Sequence, residues 1–260
     1  KEELAKEFYN TAANEVEESE YRMIREILLV KCWTTHSEDY FSYNGVAWYL
    51  SVYLFLSLVS PWIMKFLSGL KRRREVLFLM TSVFGGMVII GIFVNFRQIP
   101  IGDNFAFWLT YICPVYRLAE FLLGASLGWL YLNTDSQALK KVTTATMAEF
   151  FTAAAFVGMI CIFHKIEGVY PGLCYTALFT PISLLLVWVF AYGKGLVMKM
   201  LNRKILLWLG NLSSYVFLIH QVVIHWLMTL LKQEGLGNAY IFVLTILSFA
   251  VTVIGAEFIL

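Results

Sequence analysis

Hydrophobic residues in this chain come in blocks of about 20, the length a helix needs to cross the hydrocarbon core of a bilayer. No other feature limits the fold as much. The bilayer core offers no hydrogen bonds, so a crossing segment must satisfy its own backbone, and blocks of this kind do so as helices. Seven blocks are read, at about 47–67, 76–94, 107–131, 142–163, 172–193, 205–231 and 239–260. Only 15% of the residues are Lys, Arg, Asp or Glu, against about 25% in a typical soluble domain. The expected fold is all-α: a polytopic transmembrane helical bundle over residues 47–260, preceded by a polar segment, 1–46.

The position of the charges is more informative than their sum. A net charge of +2 gives no reason to expect a nucleic-acid partner. The loops after the first, third and fifth blocks carry ten basic residues: Lys71, Arg72, Arg73, Arg74, Lys140, Lys141, Lys194, Lys199, Arg203 and Lys204. The loops after the second, fourth and sixth carry three, Arg97, Lys165 and Lys232. The positive-inside rule places the first set in the cytoplasm. Residues 1–46 are then extracytoplasmic, in a multi-pass cell-membrane protein whose immediate partner is the lipid bilayer. Within that segment EILLVKCW, 26–33, is too short to span and reads as a helix end or an interfacial piece.

Polar residues inside the blocks are the candidates for function, because a charge in hydrocarbon is expensive and needs a partner or a wet cavity. Arg117 and Glu120, in PVYRLAEFLLGASLG, are three apart and share a helix face. They read either as a structural ion pair or as the lining of a polar cavity. Gly124 and Gly128 have the small-xxx-small spacing of close helix packing. Trp48 and Ser51 open the first block, as an interfacial belt or as the rim of a substrate site. Asn44, just upstream, is placed to cap a turn. His220 lies deep in GNLSSYVFLIHQVVIH, whereas His225 is near the outer interface. The two are five apart and point different ways, and the four cysteines form no CxxC pair, so neither a metal site nor a disulfide is expected. No P-loop, GxGxxG, HExxH or GxSxG motif is present.

Three stretches in series, ILLVKCW…YNGVAWYLSV, YICPVYRLAEFLLGASLGWLY and LGNLSSYVFLIHQ, resemble motifs of the acyltransferase-3 family of integral-membrane acyltransferases, which includes O-acetyltransferases of bacterial surface polysaccharides. The resemblance covers roughly residues 26–260. It implies a fold of about ten membrane helices and transfer of an acyl group, acetyl first, from acyl-CoA as co-substrate to a hydroxyl of a carbohydrate acceptor. Arg117, Glu120 and His220 match its interior motif residues, and Trp48 and Ser51 its substrate end. The basic run Arg72, Arg73 and Arg74 is expected to attract the CoA phosphates. Tyr53 stands where many relatives have Glu, which implies a subgroup. The family's catalytic histidine lies in a first membrane helix to which nothing here corresponds. This chain is therefore expected to represent the C-terminal portion of such an enzyme. The alternatives are an O-succinyltransferase of the same family, a transporter or channel, or a non-catalytic scaffold. Oligomeric state is not readable from the sequence.

Overall fold

The computed structural model describes residues 16–96, 104–134, 137–167, 171–231 and 238–259. It is all-α. Helix α1 covers 16–27, and a 3-10 turn at Lys31–Trp33 leads to α2 (Ser37–Tyr40). Then come α3 (Trp48–Gly69), α4 (Arg73–Phe96), α5 (Phe105–Phe107), a π-helical turn at Trp108–Ile112, and α6 (Pro114–Leu132). The remainder comprises α7 (Gln137–Lys140), α8 (Val142–Glu167), α9 (Pro171–Cys174), α10 (Thr180–Ala191), α11 (Leu196–Leu201), α12 (Lys204–Leu231) and α13 (Asn238–Ile259).

Among the described residues five helices are long and apolar enough to cross a membrane: Trp48–Gly69, Arg73–Phe96, Phe105–Leu132, Val142–Phe163 and Lys204–Leu227. These coincide with five of the seven expected blocks. The block at 172–193 is not one helix. It consists of α9, a turn, and the 12-residue α10, whose rise of about 18 Å is short for a crossing on its own. Pro181 lies in the first turn of α10, where its missing N–H costs nothing. In the last block the described apolar stretch is Ile246–Gly255, within α13.

The described residues of Lys1–Ser42, Trp48–Asp135 and Thr152–Trp188 make one compact unit, and those of Tyr43–Ala47, Ser136–Phe151 and Val189–Leu260 a second. In the first, α6 packs on both α3 and α4, and α9 crosses α4. That crossing needs two glycines. A Cβ on Gly91 would sit 2.9 Å from the Gly172 carbonyl oxygen, and one on Gly172 would sit 2.7 Å from that of Gly91. The small-residue spacing at Gly124 and Gly128 does not do this work: a Cβ at either would meet open space among the described residues.

Within the first unit, the described residues 16–42 pack against one end of α3 and the π turn. Helix α1 ends in a Schellman motif, with the Leu29 N–H on the Glu26 carbonyl and the Val30 N–H on that of Arg25. Leu29 takes the left-handed conformation (φ 54°) that glycine usually supplies. The chain then turns Lys31 and Cys32 inward, where Cys32 joins Tyr40, Val52 and Ile112 in a core. EILLVKCW is thus a helix end and a buried turn. Lys31 is 1% exposed and lies 2.6 Å from Glu26, an ion pair rather than an aligned hydrogen bond. In the second unit α12 packs on α13, with the Trp208 Nε1–H donating to Glu257 at 2.9 Å.

Candidate functional site

The site begins with a break in the third crossing helix. Asn104 starts the helix by accepting the Phe107 N–H at 3.1 Å. The chain then widens into the π turn, where the Cys113 N–H reaches back to the Trp108 carbonyl at 2.7 Å. Pro114 follows as the first residue of α6. It has no N–H to give the Thr110 carbonyl and it keeps Cys113 out of the helical conformation, at ψ 123°. Two carbonyls are freed in an apolar medium, where leaving them unpaired costs a few kcal/mol each. Side chains take both. The Thr176 hydroxyl donates to Thr110 at 3.0 Å, and Arg117 Nε donates to Tyr111 at 2.7 Å.

Arg117 is therefore fixed before any ligand is considered. Its Nη1 lies 2.5 Å from Glu120 Oε2. Its Cζ sits 4.6 Å from the centre of the Tyr111 ring and 5.5 Å from that of Trp48, two cation–π contacts. The structure thus brings together Trp48, Arg117 and Glu120. Among the described residues nothing takes Arg117 Nη2 or Glu120 Oε1. Both side chains line a cavity of about 410 Å³ with Tyr175, Thr176, Thr180 and Ser183. Gly124 also borders it, and its missing side chain keeps the space open. The cavity therefore pairs a guanidinium donor with a carboxylate acceptor and hydroxyls, inside otherwise apolar walls.

Ser51 lies one turn beyond Trp48 on α3 and is 1% exposed. Its hydroxyl donates to the Leu29 carbonyl in a short hydrogen bond and accepts from the Cys32 thiol at 2.9 Å. Burial pushes the Cys32 thiol up to about 11, against the opposing Ser51 bond. In the basic turn, Glu75 accepts the N–H groups of Lys71 and Arg72. Arg73 donates twice to the Asn133 carbonyl at the end of α6, at 3.1 and 2.6 Å. That is a cation on the negative end of a helix. Arg72 and Arg74 are exposed.

In the second unit His220 is half-buried, and its Nδ1 lies 2.6 Å from the Phe217 carbonyl. A carbonyl only accepts, so Nδ1 is the donor in this contact. Asn44 donates to the Leu218 carbonyl at 2.8 Å, and its Oδ1 accepts the Val46 N–H at 3.4 Å in the expected local turn. Gly45 faces the Gln221 amide so closely that a Cβ would come within 2.9 Å of it.

Glu149, not among the sequence candidates, is fully buried in the second unit. It accepts three backbone N–H groups at the start of α11: Gly195 at 2.9 Å, Val197 at 3.0 Å and Met198 at 3.2 Å. The sequence signal was an acidic residue inside an apolar block. Thr176 and Ser183 gave no such signal, since nothing in the sequence shows that the Gly91–Gly172 crossing sets their segment in place.

A family model described as an acyltransferase domain matches residues 15–257. No curated protein and no solved structure matches the chain.

Proposed function

Because the chain belongs to the acyltransferase-3 family, whose model covers nearly all of it, we propose that it moves an acyl group, acetyl first, from acyl-CoA to a hydroxyl of a cell-surface sugar. The observation that carries this reading is the cavity in which Arg117 and Glu120, already held by Tyr111, Trp48 and each other, keep one donor and one acceptor free. In the reaction the sugar oxygen attacks the thioester carbonyl carbon and the C–S bond breaks. The hydroxyl proton ends on the departing CoA thiolate. Negative charge gathers on the carbonyl oxygen in between, and a preset guanidinium N–H is the kind of group that stabilises it. Glu120 accepts from the incoming hydroxyl and orients it.

Trp48 offers its ring to the acceptor. Ser51, committed to Leu29 and Cys32, holds that end of α3 in place. Arg72 and Arg74 are exposed and meet the CoA phosphates, while Arg73 anchors the turn. His220 orients a group or donates a hydrogen bond. The remaining helices of the expected count are α13 and the paired α9 and α10.

The test measures label passed from acetyl-CoA into surface carbohydrate by membranes containing the full-length protein. Arg117→Leu lowers transfer by about 100-fold or more at unchanged protein level, the effect of removing a positioned oxyanion donor. Normal transfer at normal level would refute the proposal. His220→Ala lowers turnover by about tenfold, the effect of one hydrogen bond. If it lowers only the amount of folded protein, its role is structural.

A further inference from the structure

The broken third helix is tied to the polar segment through the side chain of Trp108. This residue opens the π turn, and its indole Nε1–H donates to the Cys32 carbonyl at 3.0 Å. Its own carbonyl takes the Cys113 N–H at 2.7 Å, the bond that closes the wide turn. Its ring packs against two hydrophobic clusters of the first unit, one containing Cys32 and Ile112, the other Cys113 and Tyr116.

The acceptor is held as firmly as the donor. Ser51 takes the Cys32 thiol at 2.9 Å and donates to the Leu29 carbonyl. Lys31, buried next to Cys32, donates to the Ser42 carbonyl at 3.1 Å. Asp39 accepts from Arg22 at 3.2 Å and from Arg25 at 2.6 Å, which ties α2 to α1. The turn at 29–33 is thus a fixed point, and Trp108 secures the π turn to it. Apolar packing has no direction, whereas a hydrogen bond weakens steeply as it is turned away, so the bond sets the rotation of the π turn. That rotation matters because the Tyr111 carbonyl, freed by the same turn, takes Arg117 Nε at 2.7 Å. A shift of about 1 Å at a catalytic group costs on the order of 100-fold in rate.

We infer that Trp108 is a positioning residue for acyl transfer: its bond to Cys32 makes the polar segment part of the device that aims Arg117. The inference rests on the acyl-transfer reading above.

The experiment measures label passed from acetyl-CoA by membranes containing the full-length protein, per amount of folded protein. Trp108→Phe keeps an aromatic ring and removes the donor. Replacing Trp108 by benzothienylalanine, which has sulfur in place of the indole N–H, keeps the shape as well and decides the matter if Trp108→Phe does not accumulate. Each change lowers kcat by about tenfold and leaves KM for acetyl-CoA unchanged, the mark of a misplaced catalytic group. Made together with Arg117→Lys, each costs less than about a further twofold, because changes that act through one group do not add. A purely structural residue would instead lower the amount of folded protein, or slow both backgrounds by the same factor. An equal loss in both backgrounds overturns the inference, as does full transfer by either variant or a raised KM at unchanged kcat. Failure of both variants to accumulate also overturns it, since Trp108 is then a packing residue. In all these cases the wild-type chain still transfers acetyl and the acyl-transfer reading stands. No transfer by the wild-type chain removes that reading, and the inference with it.

Discussion

A carboxylate survives inside an apolar helix only when something answers its charge, and two residues here do so differently. Glu120 is answered by a guanidinium one turn away. Glu149 is answered by three backbone N–H groups, the nearest in sequence 46 residues on. Gly195 makes the second arrangement possible, since a Cβ there would fall 2.1 Å from a Glu149 oxygen. Gly195→Ala therefore pushes the carboxylate off its donors. We expect a loss of about 1–3 kcal/mol, from overpacking and unmet N–H groups. Thermal denaturation in detergent reads it as a lower Tm, and a variant as stable as the wild type would contradict this account. The Arg117–Glu120 pairing was readable because three residues is a helical spacing. The approach of Trp48 to Arg117 was not, because it crosses from α3 to α6 and no residue type encodes that contact.

Among the elements, the π turn and Pro114 decide the site. Without the break, the Thr110 and Tyr111 carbonyls would bond along the helix, and Arg117 Nε would lose the acceptor that aims it. Pro114→Ala returns an N–H at the position that closes an ordinary turn onto Thr110. We expect a chain that still inserts and accumulates but transfers acyl groups at least about tenfold more slowly, the scale of a misplaced catalytic group. Undiminished transfer would show that the break is incidental. The crossing helices themselves were legible, because apolar length is a composition signal that local sequence carries in full. The 172–193 block was not, because its apolar run is continuous while the chain turns between α9 and α10. The packing role expected of Gly124 and Gly128 falls instead to Gly91 and Gly172, which no spacing rule connects.

For the whole molecule, the charge asymmetry of the loops makes an orientation test direct. Cysteines introduced at Arg72 and at Ser37 should behave oppositely. In intact cells a membrane-impermeant maleimide labels the Ser37→Cys chain and not the Arg72→Cys chain, and lysis exposes the latter. Labelling of both, or the reverse pattern, would overturn the positive-inside assignment. That orientation gives the broken third helix a further meaning. Helix α6 alone has 19 residues, a rise of about 28 Å, close to the full thickness of the hydrocarbon layer. On the proposed orientation the π turn and α5 would be surplus to the crossing and lie near the outer surface. Arg117 and Glu120 lie only about 5 and 9 Å along the helix from Pro114. Under the proposed function and the positive-inside orientation the journey would be unequal for the two reactants: a sugar would come in from the outer water by a short step, while an acyl group from the cytoplasm would have most of the bilayer to cover before the two meet.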